Sequence, residues 1–348
     1  MARAPTQRLV VRKLLTLPPP ILRLMSGGGV VYQGGRTLDP RIQFLAAQAR
    51  RQPRLESLPV AEARAASDAG LAAVAGDPEP GVTWEDFAIE GPRGPIPIRA
   101  YRPPSQDSGA PLMVYAHMGG GVIGDLAISH VFCTILAACA RCPVLSVDYR
   151  LAPEHRFPAG LEDVLAAYRF GRDSAERFGA AAGKAAIGGD SMGGGFAAAV
   201  CQQLRRAGEP QPELQLLIYP WVDLGCESAS MTIYGESYPL TRSLLTWFAG
   251  QYLGPQDDPA DPRVSPLESD DLAGLAPAVV VTAGFDPLVD QGQAYARKLK
   301  AAGGHVIYRC YDSLSHAFTA LTGAVPCADV ACREIAGLVR EGFEGRIA

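Results

Sequence analysis

Three side chains in this sequence have the chemistry that nucleophilic catalysis requires. Ser191 is the centre of the run Gly-Asp-Ser-Met-Gly, Asp286 lies in Gly-Phe-Asp-Pro, and His316 lies in Ser-His-Ala-Phe. An imidazole that removes the serine proton lets the hydroxyl attack a carbonyl carbon, and a carboxylate orients that imidazole and supports its charge. These residue types predict acyl transfer through a covalent serine intermediate.

A glycine-rich run lies upstream of these three residues. The sequence at 117–121 is His-Met-Gly-Gly-Gly, and it follows an apolar stretch at 111–116 that suits a buried parallel strand. Glycine backbone N–H groups are unobstructed by side chains, so this run can donate to the oxyanion that forms during attack. Losing one such donor typically costs about 2.7–4 kcal/mol of transition-state stabilisation. A tight turn without chemistry is the alternative interpretation.

The hydrophobic pattern places each candidate at the end of a strand. Apolar runs that indicate strands cover 111–116, 184–188, 278–283 and 305–310. A helical pattern at 196–204 follows Ser191, which predicts a serine on a tight strand-to-helix turn. The Gly-x-Ser-x-Gly pattern alone fits a glycine-rich turn equally well, because the chain contains 38 glycines. Open α/β sheets carry their chemistry at the carboxyl ends of the strands, so we expect the candidates at one edge.

Further motifs carry a family resemblance. They are Asp-Tyr-Arg-Leu-Ala-Pro-Glu at 148–154, Tyr-Pro-Trp-Val-Asp at 219–223, Ser-Pro-Leu at 265–267 and Asp-Pro-Leu at 286–288. With the motifs above, the chain resembles the bacterial hormone-sensitive-lipase-like esterases, or family IV carboxylesterases, from about residue 38 to its end. The order serine, aspartate, histidine is that of an α/β-hydrolase triad. The resemblance implies the α/β-hydrolase fold, with a mostly parallel central sheet, helices on both faces and a helical cap.

The resemblance also implies a role for each matching residue. Ser191 matches the nucleophile, His316 the general base, and Asp286 the carboxylate that supports the imidazole. The backbone donors of the oxyanion hole are matched by Gly119, Gly120 and Met192. The implied chemistry requires no metal and no organic cofactor.

The chain departs from the family pattern beside these glycines. The family usually has His-Gly-Gly-Gly followed by an aromatic residue, whereas Met118 and Gly121 stand at the first glycine and at the aromatic position. Only side chains differ, so the backbone donors are retained. We therefore expect a reshaped substrate pocket around Met118 and Gly121, with Met192 adding a flexible apolar group.

Neighbouring polar residues have structural interpretations. Asp290 lies one helical turn beyond the predicted triad carboxylate and is its rival, although the family pattern favours the residue nearer the strand end. We expect Asp190 to make structural hydrogen bonds and His117 to hold its loop. Arg150 and Glu154 are expected to form a structural polar cluster near the sheet.

Composition restricts the partners. The chain has 348 residues, a net charge of -4 and 20% charged residues, which argues against a nucleic-acid partner. No segment is long and apolar enough to cross a bilayer. Its eight cysteines include one closely spaced pair, Cys139 and Cys142, but no second pair at metal-site spacing, so free thiols in a reducing cytoplasm are expected. Family members often pair through the last strand, so a homodimer through residues 305–310 is left open.

We expect four segments along the chain. They are an N-terminal extension with cap helices at 1–80, the first part of the core at 81–221, a cap insertion at 222–254, and the second part of the core at 255–348. Helical patterns indicate two helices within 38–76 and one at 240–253, and a hairpin is predicted within 82–101.

The N-terminal residues 1–38 contain six basic residues and no acidic one. Prolines and Arg23 interrupt the apolar run in this segment, so the sequence does not predict a secretory signal. An extension that packs on the cap and a basic amphipathic surface for anionic lipid or a lipidic substrate are both open interpretations.

Taken with the resemblance, the motifs predict a serine carboxylesterase that acts on small-molecule esters with short- to medium-chain acyl groups. An amidase or a lactonase with the same triad is an alternative. A non-catalytic binding protein on the same fold is a further alternative, since plant gibberellin receptors resemble this family and have lost the catalytic histidine. The presence of His316 argues against that last alternative.

Overall fold

The central sheet begins at residue 83, and from residue 112 onward helices separate the successive strands. The computed structural model describes residues 11–225 and 227–346. Helices α1 Pro19–Met25, α2 Pro40–Ala49 and α3 Val60–Val74 precede the sheet. The strands of the sheet are β1 Thr83–Gly91, β2 Gly94–Arg102, β3 Leu112–Ala116, β4 Val144–Val147, β5 Ala185–Asp190, β6 Gln215–Ile218, β7 Ala278–Phe285 and β8 Val306–Ser315. The helices among and after them are α4 His130–Ala140, α5 Ala159–Asp173, α6 Met192–Arg206, α7 Ala229–Tyr234, α8 Arg242–Tyr252, α9 Val289–Ala301 and α10 Pro326–Phe343.

The eight-stranded sheet has the spatial order β8-β7-β6-β5-β3-β4-β2-β1. Strand β2 pairs antiparallel with both of its neighbours, and the other neighbouring strands are parallel. The strands β3 to β7 are buried along their whole length, as their continuous apolar runs predict. Their parallel arrangement brings the carboxyl ends of β3, β5 and β7 to the same edge of the sheet.

Alternate residues of the central strands face two separate apolar clusters. In β3, Leu112, Val114 and Ala116 belong to one cluster, and Met113 and Tyr115 belong to the other. The first cluster includes residues of α5, α6 and α9, and the second includes residues of α4 and α10. Helices therefore cover both faces, and the predicted fold class is confirmed.

The helices outside the core lie in two segments of the chain. Helices α2 and α3 occupy the predicted region 38–76, and α8 occupies 240–253. Helix α7 has six residues and was not predicted, because it is too short for a helical repeat to be visible in the sequence. The two segments contact each other, since Ser243 Oγ donates to Glu56 at 2.6 Å and Arg54 pairs with Glu236 at 3.3 Å.

The described part of the N-terminal extension is anchored to the core. Leu15 and Leu22 are buried in the same cluster as α4 and α10, and Arg12 pairs with Asp77 at 3.0 Å. Of the basic residues in this segment, Arg3 and Arg8 lie outside the described residues. Within 11–225 and 227–346, no helix has the length and apolar character needed to cross a membrane. The cysteines that the structure describes are free.

Candidate active site

Ser191 occupies the turn between β5 and α6. Its backbone has φ 54° and ψ -119°, a conformation that residues other than glycine rarely adopt and that aims the side chain away from both elements. The turn is tight because α6 approaches the sheet closely. A Cβ atom at Gly193 would lie 2.0 Å from the carbonyl oxygen of Ala116, so only glycine fits there.

The structure brings Ser191, His316 and Asp286 together. Nε2 of His316 lies 2.9 Å from Oγ of Ser191, and Nδ1 lies 2.7 Å from Oδ2 of Asp286. The second carboxylate oxygen, Oδ1, accepts the backbone N–H of Leu288 at 2.8 Å. All three side chains are buried, with Ser191 and His316 each only 5% exposed. With Nδ1–H donating to the carboxylate, Nε2 is free to accept the serine proton.

Asp290 lies away from the imidazole. It is the second residue of α9, and its Oδ2 accepts the backbone N–H of Ser230 at 2.7 Å. This bond holds the start of α7 against α9. The structure therefore places Asp286, and not Asp290, beside His316.

The glycine run forms the loop after β3, next to the serine turn. Among the residues that the structure describes, the backbone N–H groups of Gly119, Gly120 and Met192 have no hydrogen-bond acceptor. The turn is closed instead by the N–H groups of Val122 and Ile123, which both donate to the carbonyl of Gly119 at 3.0 Å. These unengaged donors are available to a ligand oxygen.

The apolar residues around the loop are buried. Met118 packs with Ala317, the residue after His316, in a small cluster that also touches α3. Met192 lies on the other side of the loop, with its methyl carbon 3.6 Å from the position that a Cβ atom of Gly121 would take. Two aromatic residues of α8, Phe248 and Tyr252, also contact the loop, and sequence reasoning missed them because they lie far downstream with no motif of their own.

Asp190, beside Ser191, is fully buried and accepts hydrogen bonds from two hydroxyl groups. The donors are Tyr219 and Thr319, each at 2.9 Å. Burial raises the pKa of Asp190, and the two hydroxyls oppose that effect. The expected structural role is consistent with these bonds. Tyr219 stands in one of the sequence motifs, whereas no signal in the sequence pointed to Thr319.

His117 holds the glycine loop from within. Its Nδ1 donates to the carbonyl of Met118 at 2.7 Å, and its ring stacks on Tyr149 with centroids 4.2 Å apart. Burial lowers the pKa of His117 to about 4, so the ring is neutral at physiological pH. The side chain is therefore a structural part of the loop, as expected.

Arg150 and Glu154 do not form one cluster, contrary to the sequence-based expectation. Arg150 pairs with the buried Asp163 at 2.8 Å, whereas Glu154 pairs with Arg64 of α3 at 2.7 Å. Arg64 also donates to the carbonyls of Val122 and Ala152 at 2.8 Å. The reason for the separation is that the two partners belong to different helices, Asp163 to α5 and Arg64 to α3.

Comparison with known proteins identifies the family. A model of the alpha/beta hydrolase fold matches residues 113–320, which include Ser191, Asp286 and His316. The chain belongs to the hormone-sensitive-lipase-like α/β-hydrolases. It is 43% identical to the carboxylic ester hydrolase LipN of Mycobacterium tuberculosis over 88% of this chain and 84% of that protein. It is 38% identical to the ethyl acetate hydrolase of Pseudomonas putida over 79% of this chain and 88% of that protein.

Solved structures of α/β-hydrolases agree with this assignment. An ester hydrolase from the metagenome of Lake Arreo, solved with a derivative of bipyridine phosphonate, is 42% identical and has a TM-score of 0.85. The match covers 88% of this chain and 99% of that one. Like these relatives, the chain is a carboxylic ester hydrolase. Among the described residues of this α/β-hydrolase, no group of three or more histidine, cysteine or acidic side chains is arranged to hold a metal ion.

Proposed function

We propose that this carboxylic ester hydrolase cleaves esters of short- to medium-chain acids through an acyl-enzyme formed on Ser191. The observation that carries the proposal is the contact of His316 with both Ser191 and Asp286, at 2.9 and 2.7 Å. The name of the Pseudomonas putida relative supports a short acyl group, because the acid part of ethyl acetate is acetyl.

The geometry suggests how the reaction proceeds. Oγ of Ser191 attacks the ester carbonyl carbon while Nε2 of His316 takes its proton, and the N–H groups of Gly119, Gly120 and Met192 stabilise the negative oxygen. The bond to the alcohol oxygen then breaks, and the alcohol leaves with the proton from Nε2. Water, deprotonated by the same nitrogen, attacks the acyl carbon, releases the acid and restores the serine hydroxyl.

The cap and the pocket are part of this proposal. We assign the helices within 38–76 and 240–253 to one cap over the site, supported by the bond between Ser243 and Glu56 and by the bond of Arg64 to the carbonyl of Val122 beside the glycine loop. Met118 and Gly121 would line the pocket, since they flank the glycines with unengaged N–H groups. A cap of this kind limits water around the reacting carbonyl.

A panel of p-nitrophenyl esters, from acetyl to palmitoyl, tests the proposal with wild type and Ser191→Ala. We expect the highest kcat/KM for the short acyl groups and a loss of about 10⁴-fold or more in the variant. An anilide and a lactone belong in the same assay, because faster turnover of either would move the function to an amidase or a lactonase. A maximum at palmitoyl, or full activity of Ser191→Ala, would contradict the proposal.

A further inference from the structure

Two aromatic rings of α8 lie directly on the glycine loop. They belong to Phe248 and Tyr252, which are one helical turn apart and therefore on the same side of the helix. A Cβ atom at Gly120 would lie 2.3 Å from Cγ of Phe248, and one at Gly121 would lie 3.0 Å from Cδ2 of Tyr252. The rings thus fill the space in which side chains of the loop would otherwise lie.

Tyr252 is connected in turn to the core of the molecule. Its ring lies 6.1 Å from that of Phe196 on α6 and 5.9 Å from that of Phe157, and its carbonyl accepts the N–H of Phe157 at 2.9 Å. Phe196 contacts Tyr149 edge to face at 5.2 Å, and Tyr149 stacks on the imidazole that holds the loop. Tyr252 therefore joins the cap helix to the aromatic residues behind the loop.

Hydrogen bonds hold the carbonyl groups of Met118, Gly119 and Gly121, but within the described chain none holds the N–H groups of Gly119 and Gly120. Gly120 and Gly121 have φ values of +63° and +72°, and glycine backbones move among many conformations unless their surroundings restrict them. Oxyanion donors act only when they are held in place before the reaction, and a misplacement of about 1 Å can cost about 10²-fold in rate. The rings of Phe248 and Tyr252 pack against the backbone of Gly120 and Gly121 and restrict these two residues.

We propose that Phe248 and Tyr252 are positioning residues that hold the glycine loop so that its N–H groups meet the substrate oxyanion. The inference rests on the proposed function, because it assigns the donors of that same site. Helix α8 then completes the oxyanion hole from the cap, without touching the reacting atoms. The hydroxyl of Tyr252 has no partner within the described chain, so the ring and not the hydroxyl makes the contact.

The test compares Phe248→Ala and Tyr252→Ala with Tyr252→Phe and with Thr246→Ala, an exposed residue of the same helix. Active sites are counted by complete titration with a serine-reactive phosphonate, and kcat is expressed per titrated site with an acetyl ester. We expect each of the two alanine variants to lose about 10- to 100-fold in kcat per site with little change in KM. Tyr252→Phe and Thr246→Ala should keep the wild-type value.

A second measurement separates positioning from a general loss of structure. A trifluoromethyl ketone forms an oxyanion on the serine, so its inhibition constant should rise in proportion to the fall in kcat/KM. A smaller titratable fraction with unchanged kcat per site would overturn the proposal, as would a change confined to KM.

If Phe248→Ala does not fold, Phe248→Leu keeps the apolar volume without the flat ring and should show a smaller loss of kcat per site. If the wild-type protein neither reacts with the phosphonate nor hydrolyses the ester, the result refutes the proposed function and not the positioning role alone.

Discussion

At the scale of single residues, the two oxygens of Asp286 have different partners. One accepts Nδ1 of His316 and the other accepts the backbone N–H of Leu288. This arrangement selects the imidazole tautomer that leaves Nε2 facing Ser191. Asp290 is the same residue type on the adjoining helix, but its carboxylate is occupied by the backbone of α7. Its partners, and not its chemistry, exclude it from the site.

Asp286→Asn is expected to lower kcat by about 10⁴-fold, because an amide favours the wrong imidazole tautomer while preserving the shape of the site. Asp290→Asn is the matched control, with the same chemical change one helical turn away, and should keep the wild-type kcat. Steady-state kinetics on an acetyl ester, normalised by active-site titration, measure both variants. Equal losses in the two variants would remove the assigned role of Asp286.

At the scale of elements, the approach of α6 to β3 determines where the serine turn lies. The two elements nearly touch at Gly193, where a Cβ atom would overlap the carbonyl oxygen of Ala116 and also lie 2.7 Å from that of His117. Ala116 is the last residue of β3, so its carbonyl oxygen cannot move without displacing that strand. The loop that follows β3 carries the glycine donors, and the contact therefore couples the serine turn to the loop that we propose as the oxyanion hole.

Gly193→Ala is expected to destabilise the fold by about 1–3 kcal/mol or more, because the added carbon overpacks a contact between main chains. Gly337→Ala on α10 is the control, since a Cβ atom there meets no neighbouring atom within 4 Å. That substitution should instead stabilise the fold by roughly 0.5–1 kcal/mol through helix propensity. Urea unfolding measures both free energies. A neutral or stabilising Gly193→Ala would show that α6 can shift away from the sheet.

At the scale of the whole molecule, two groups at the active-site edge give opposite responses of stability to pH. Burial lowers the pKa of His117 from 6.5 to about 4. Burial, with a smaller contribution from Asp125, raises the pKa of Asp148 from 3.8 to about 6, and Arg99 opposes that rise. Between about pH 4 and about pH 6, the folded chain holds a proton on Asp148 and not on His117, whereas the unfolded chain holds one on His117 and not on Asp148. Their contributions to the pH dependence of unfolding therefore cancel in this range.

Single substitutions should expose each contribution. In Asp148→Asn, the unfolded chain binds the extra proton at His117, so the free energy of unfolding should fall as pH decreases from 6.5 to about 4. In His117→Gln, only Asp148 of the two groups remains. Its contribution to the free energy of unfolding is complete below pH 3.8 and is lost as pH rises through about 6, where the folded chain loses that proton. Urea unfolding at a series of pH values across this range measures the free energy of unfolding. Its slope against pH should differ from that of the wild type in opposite directions in the two variants. The same slope in both variants would contradict the assignment of the two opposed contributions to His117 and Asp148.

The sequence alone determined the fold class and the order of the site. Apolar runs predicted β3, β5 and β7 within two residues at each end, because buried parallel strands must be apolar on both faces. The edge strand β8 is partly exposed and extends five residues beyond its predicted end at 310. Glycines around Ser191 predicted a tight strand-to-helix turn, which is a property of adjacent residues. Parallel strands end at a common edge, so side chains that follow them were expected to meet although they are far apart in the sequence.

Only the tertiary structure decided which distant side chains support the site. Three sets of contacts show this: Thr319 beside Asp190, Arg64 beside Glu154, and the rings of α8 on the glycine loop. They join residues 90 to 131 positions apart, counting 121 to 252 for the longest. No local pattern records such pairs, because they depend on how helices of the cap and core pack against the sheet. The physical reason is that backbone conformation is governed by near neighbours in sequence, whereas side-chain contact is governed by neighbours in space.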